Sequence, residues 1–266
     1  MPDKPNMLLI GHLCHDVIPG GYKAGGAAAY GAMVAHQLGC RVHILTSHGP
    51  DFRFSGLFSF AKVQVVPAPA TTCFENIYTE EGRVQFLRSR AAALKAEALP
   101  RHWPMPDIVV IGPIADEVDF KFVDCFQETL LCVCPQGWFR QWDEQGRVSP
   151  KSISLKNWPE KAEVLSVSDE DLAGKEAVES ELRQRAKRLL ITHGADGAEL
   201  IMNGNTRHFA AKPARLVEST GAGDVFATAF AIRLWQCGDE AEAMDFALTI
   251  AAKSVEFASL EELKVV

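Results

Sequence analysis

The chain has 266 residues, 47% of them hydrophobic and 23% charged, enough to bury one large α/β core without a second domain. Its formal charge of −7 argues against nucleic acid or an anionic membrane surface as the main partner. No apolar stretch approaches bilayer length, and the opening Met1-Pro2-Asp3-Lys4-Pro5-Asn6 lacks the apolar region of a signal peptide, so a cytoplasmic protein with no membrane partner is expected. Seven cysteines without framework spacing suit free thiols in a reducing compartment.

In chain order, residues 7–11 read as a short buried strand, 26–38 as an Ala-rich helix closed by Gly39, and 41–46 as the next strand. That is a β-α-β unit. Residues 62–66, 72–79 and 83–88 then read as three consecutive strands, the last two joined through Glu80-Glu81-Gly82, which is hairpin chemistry. This β excursion over about 62–90 is either a lid that excludes water from a site or an edge hairpin. Further apolar runs at 107–112, 130–134, 163–167 and 188–192 continue the alternation of strand and helix. Such a pattern implies a largely parallel sheet covered on both faces, with ligands gathering at the carboxyl ends of its strands. Cys132 and Cys134 share one face of a strand and read as small buried hydrophobes. Helices over 222–236 and 240–257, punctuated by Cys237-Gly238-Asp239, complete a single domain spanning 1–266.

The most informative string is Thr220-Gly221-Ala222-Gly223-Asp224, followed at once by an apolar run at helical spacing. Small residues let backbone N–H groups approach a ligand, and the start of a buried helix favours a phosphate or a developing oxyanion. Asp224, in the first turn, is placed to take a proton from a hydroxyl attacking that phosphate. The same carboxylate would also serve the helix dipole in a purely structural role.

Taken together, Gly11 with Asp16 five residues on, Gly25-Gly26 opening a helix, and Glu218-Ser219-Thr220-Gly221-Ala222-Gly223-Asp224 resemble the ribokinase/PfkB family of carbohydrate kinases. Within it, Gly11-His12-Leu13-Cys14-His15-Asp16-Val17-Ile18, Gly49-Pro50-Asp51-Phe52-Arg53-Phe54 and Thr71-Thr72-Cys73-Phe74-Glu75-Asn76 look most like the plant-type myo-inositol kinase branch. The resemblance implies a ribokinase-like three-layer α/β sandwich with a mainly parallel central sheet and a small β flap. It also implies an ATP-dependent, Mg²⁺-assisted kinase acting on a small sugar, polyol or cyclitol. Asp224 would then be the base, and the N–H groups of Gly221, Ala222 and Gly223 the anion hole.

The same resemblance assigns the acceptor to Asp16, Gly25, Gly26, Tyr30 and Glu75, with Arg140 clamping an oxyanion or phosphate. Tyr30 departs from the Asn usual there, and either stacks on a ring or fills space. Thr192, Gly194 and Gly197 correspond to the turn near the ATP phosphates, joined by Ser168 and Thr220. A hairpin turn explains the two glycines equally well. Asp171, in place of the usual Glu, would organise magnesium through water, or act with Ser168 as an ordinary helix start. The short stretch between Asp16 and Gly25 leaves little room for lid strands, which favours a monomer, or a site closed mainly by the later hairpin; a homodimer is the alternative. Two other functions stay open: a nucleoside kinase of the same family, and a binding protein that keeps the fold without turnover.

Overall fold

The computed structural model describes residues 4–79, 82–126, 128–151 and 162–266; Glu80 and Glu81 of the expected hairpin turn lie outside these. The chain begins β1 (Asn6–Ile10), β2 (Cys14–Ile18), β3 (Gly21–Gly25), α1 (Ala27–Gln37) and β4 (Arg41–His48). It continues β5 (Lys62–Pro67), β6 (Cys73–Thr79), β7 (Gly82–Ser89), β8 (Ile108–Ile111), β9 (Leu130–Val133), β10 (Arg140–Trp142) and β11 (Val148–Pro150). It closes with β12 (Val164–Ser168), α2 (Asp169–Leu172), α3 (Glu176–Arg185), β13 (Leu189–Thr192), β14 (Ala198–Met202), β15 (Asn205–Phe209), α4 (Ala222–Cys237) and α5 (Glu240–Ser254).

The main sheet has nine strands in the order β15-β14-β13-β12-β9-β8-β1-β4-β5. All neighbours from β13 to β5 run parallel, and the β13–β14–β15 edge is antiparallel. Because side chains alternate across a strand, β1 divides its apolar residues between two cores. Met7 and Leu9 join the α1, α4 and α5 layer, while Leu8 and Ile10 face Phe122, Trp138 and Leu182 on the other side. Helix α4 is buried nearly all round from Val225 to Ile232, wedged between α1, α5 and the sheet. Among the described residues no helix is long and apolar enough to cross a membrane.

Two expectations about the β excursion need correcting. Residues 62–67 do not belong to a lid: β5 adds to the edge of the main sheet, parallel to β4 from His43↔Lys62 to His48↔Pro67. The stretch between Asp16 and Gly25, expected to leave little room for lid strands, lies within an antiparallel β2–β3 hairpin, and β2 also pairs with β6. The separate small sheet is therefore four-stranded, in the order β3-β2-β6-β7. Alternation identifies a strand but not its partner, which explains the first error. The second had a local signal in Pro19-Gly20: Gly20 has φ +82°, and Pro before a positive-φ Gly is the signature of a type II turn.

Candidate active site

Helix α4 starts at Gly221, which caps it in the left-handed conformation with φ +82°. The first intrahelical bond runs from Val225 N–H to the Gly221 carbonyl (2.9 Å), so the preceding amides project from the helix start. One of them is engaged: Ala222 N–H donates to the Ser219 carbonyl (3.1 Å). Gly221, Gly223 and Asp224 supply the others. Tyr30 closes this turn from below. A Cβ on Gly221 would lie 2.5 Å from the Tyr30 ring, so the ring is packed against the backbone of the turn. Burial, with Asp16 and Glu218 nearby, raises the Tyr30 phenol well above its usual range, so it stays a neutral hydroxyl. Of the two roles considered for Tyr30, filling space is the one this packing serves.

Asp224 faces a charged group on either side. Burial pushes its carboxyl up to about 7; Arg140 opposes that rise and Asp171 adds to it. Arg140 follows the turn after β9 and opens β10, while Asp171 lies in α2 after β12, so groups from beyond two strand ends act on one carboxylate. Lys175 belongs to the same group: its ammonium donates to the Asp171 carbonyl and lies 5.4 Å from the Phe139 ring centroid. Burial lowers the Lys175 pKa, with Asp171 opposing and Arg140 reinforcing the shift.

Ser168 and Asp171 form a reciprocal capping box, Asp171 N–H donating to Ser168 Oγ (3.1 Å) and Ser168 N–H to Asp171 Oδ2 (3.2 Å). That satisfies part of the Asp171 carboxylate and fixes its direction. Among the described residues no group of three His, Cys, Asp or Glu side chains is poised to hold a metal ion. A magnesium ion in phosphoryl transfer takes only one or two carboxylates, the rest being water and donor phosphate, and Asp171, fixed by the capping box, fits that requirement.

Thr192 pairs with Ser168 at the ends of β13 and β12, which puts both on the carboxyl edge. Gly194 and Gly197, with φ +54° and +103°, make the tight turn of the β13–β14 hairpin, where His193 N–H donates to the Gly197 carbonyl (2.8 Å). Beside them His193 Nδ1 meets Asp169 Oδ2 at 3.2 Å, while its Nε2 is buried without a partner among the described residues. Thr220 donates through both N–H (3.0 Å) and Oγ1 (2.7 Å) to Glu218 Oε1.

On the acceptor side, Asp16 is 6% exposed on β2. A Cβ on Gly25 would lie 2.3 Å from Asp16 Oδ2, and one on Gly26 2.3 Å from the His12 carbonyl oxygen. The glycine pair therefore makes room for a carboxylate and for backbone, and Gly26, at φ +103°, caps α1. Glu75 does not join this group. Phe74 pairs with Asp16 and is buried beside Cys14, so alternation turns Glu75 to the opposite face, where Arg88 holds it at 2.5 Å.

Two groups here were not foreseen. Glu117, 1% exposed, accepts from the N–H groups of His12 (3.1 Å), Ile114 (3.0 Å) and Ala115 (2.7 Å), binding the loops after β1 and β8 together. Lys23, opposite Asp16 in the β2–β3 register, forms a 2.5 Å ion pair with Glu218. A lone Glu in a loop or a lone Lys on a short strand carries no sequence signal of such pairing.

Residues 154–262 match the model of the pfkB family of carbohydrate kinases. A cytidine kinase from Thermococcus kodakarensis is 29% identical over 85% of this chain and 87% of its own length. An inositol 3-kinase from Oryza sativa subsp. japonica is 26% identical over 86% of this chain, but the match spans only 63% of that longer protein. The fold matches a pyrophosphate-dependent kinase in the ribokinase family, complexed with a pyrophosphate analog and myo-inositol, with a TM-score of 0.79, 22% identity and coverage of 95% of this chain and 96% of that one. A ribokinase from Cryptococcus neoformans var. grubii serotype A in complex with ADP matches with a TM-score of 0.75 and 18% identity, over 97% and 96% of the two chains. The chain is similar to the pfkB family of carbohydrate kinases over residues 154–262, and its relatives support a phosphotransferase with a hydroxyl acceptor.

Proposed function

We propose that this kinase transfers the γ-phosphoryl group of ATP to a hydroxyl of a small sugar, polyol or cyclitol, myo-inositol among them. The observation that carries the reading is the Asp224 carboxyl at the start of α4, raised to about 7 between Arg140 and Asp171. A base with that pKa is ionised in an appreciable fraction at neutral pH and still basic enough to accept a hydroxyl proton. The amides of Gly221 and Gly223 would carry the charge developing on the transferred group, and Arg140 the charge of the donor phosphates. Asp16, walled in by Gly25, would accept hydrogen bonds from acceptor hydroxyls and so aim one of them at Asp224. Magnesium, held by Asp171 through water, would neutralise donor phosphate charge.

The test is Asp224→Asn. Turnover should fall by roughly 10²–10⁴-fold, the usual contribution of a general base, while donor binding persists. Near-normal turnover would remove Asp224 from the mechanism. The acceptor is identified by donor consumption across inositols, pentoses, hexoses and nucleosides. Cytidine is included because of the cytidine-kinase relative. Arg140, the cation that acts on Asp224, with Lys175 next to Asp171, also suits a donor without a base, so each acceptor is paired with both ATP and inorganic pyrophosphate.

A further inference from the structure

The Lys23–Glu218 pair joins two parts of the molecule that are far apart in sequence. Lys23 lies on β3 of the small sheet and stands opposite Asp16 in the ladder, so both side chains leave the same face. Glu218 lies two residues before the Thr220-Gly221 turn. Its Oε2 meets the Lys23 ammonium at 2.5 Å, and its Oε1 takes both donors of Thr220. From the other side, the N–H groups of Val217 and Glu218 donate to the Val255 carbonyl just beyond α5, at 2.8 and 3.1 Å. The segment that leads into α4 is thus tethered at the helical layer and at the small sheet. The two side chains are 13% and 24% exposed, so the pair is screened less than a surface pair. Lys23 and Thr220, outweighing the cost of burial, hold the Glu218 carboxyl down at about 2, so it stays ionised at every pH where the protein would work.

We propose that Lys23 is a positioning residue for phosphoryl transfer: acting through Glu218, it holds the Thr220-Gly221 turn so that the α4 amides point at the transferring group. The inference rests on the reading of the α4 start as the anion hole. Because Lys23 sits beside Asp16, the proposed acceptor ligand, the same ion pair ties the small sheet to the start of α4.

The test uses Lys23→Met, Glu218→Gln and the double variant in the full chain. Lys23→Met keeps an unbranched side chain one atom shorter without the charge, and Glu218→Gln keeps an acceptor for Thr220 while removing the charge. Each single change should lower kcat about 10–100-fold, the range for a displaced catalytic group, with acceptor KM altered less than about threefold. The double variant should be no worse than the weaker single one, and Lys23→Arg should restore most of kcat. Hydrogen exchange of the amides over 219–224 should quicken in Lys23→Met. Loss in Lys23→Met alone, or losses that multiply in the double variant, would mean that Lys23 touches a phosphate directly and would overturn the proposal. An unchanged kcat with a lowered melting point, or unchanged exchange over 219–224, would overturn it as well. The exchange measurement needs no turnover. If no donor and acceptor pair is consumed, the kinase chemistry proposed for Asp224 fails, while exchange still decides whether Lys23 organises the turn.

Discussion

Asp224 carries a carboxyl raised from the ordinary range to about 7, and that single shift has two separable consequences. A base must be ionised to work, so kcat/KM should rise with pH and level off above about 7, its acid limb reporting Asp224 in the free enzyme. A limb centred near 4 in the pH–rate profile would show that the carboxyl is not desolvated as described. The stability consequence runs the other way. At pH below the unfolded value both states bind the proton, so the group contributes nothing; as pH rises towards 7 only the unfolded state ionises freely, and the native state loses relative stability until both are ionised. Asp224→Asn should therefore melt higher than the parent at pH 8, with the difference shrinking as pH falls from 7 to 4. Parallel melting curves across that range would contradict the linkage.

Helix α4 shows how a local motif depends on a distant partner. The small residues of Gly-Ala-Gly suggest close approach by a ligand, but at Gly221 the space is occupied by Tyr30 of α1. Ala at that position would take on a left-handed backbone, at about 1–2 kcal/mol, together with a clash against the ring. Gly221→Ala should accordingly lower the melting point and abolish activity. In the Tyr30→Ala background the same substitution should cost less stability, since only the backbone penalty remains. Equal costs in the two backgrounds, measured by denaturant unfolding, would mean that the ring is not what confines Gly221. The hairpin reading of Gly194 and Gly197 was as good as the phosphate reading from sequence. The structure supplies the antiparallel β13–β14 pairing, which accounts for both glycines without a ligand.

Across the molecule, the carboxyl edge of the parallel strands is organised by contacts between loops, and Glu117 is the clearest of them. Its buried carboxylate takes three backbone N–H groups from the loops after β1 and β8. Glu117→Gln replaces one acceptor oxygen by a donor facing donors. It should cost about 1–3 kcal/mol, the penalty for buried groups left unsatisfied, read as a lowered denaturation midpoint. A midpoint unchanged within error would show that water takes over the role. The strand segments of the parallel core were all visible in the sequence, because strands buried on both faces read as continuous apolar runs. The small sheet was half visible. Its β6 and β7 strands alternate clearly, whereas β2 and β3 are short and mix Gly with polar residues, and only β2 of the two is held by β6.

The parallel strands, helices α1, α4 and α5, the Gly-rich start of α4 and the presence of Asp16 and Gly25-Gly26 ahead of α1 were readable from residue type and spacing. These are local properties, set by hydrophobic period, by capping and by the conformational freedom of glycine. Partner choice was not readable. That β5 extends the main sheet, that Glu75 turns away towards Arg88, that Tyr30 fills the space under Gly221 and that Lys23 reaches Glu218 all depend on which surfaces meet. Periodicity says which face of an element is buried; only packing against the rest of the chain says against what, and long-range ion pairs have no period at all.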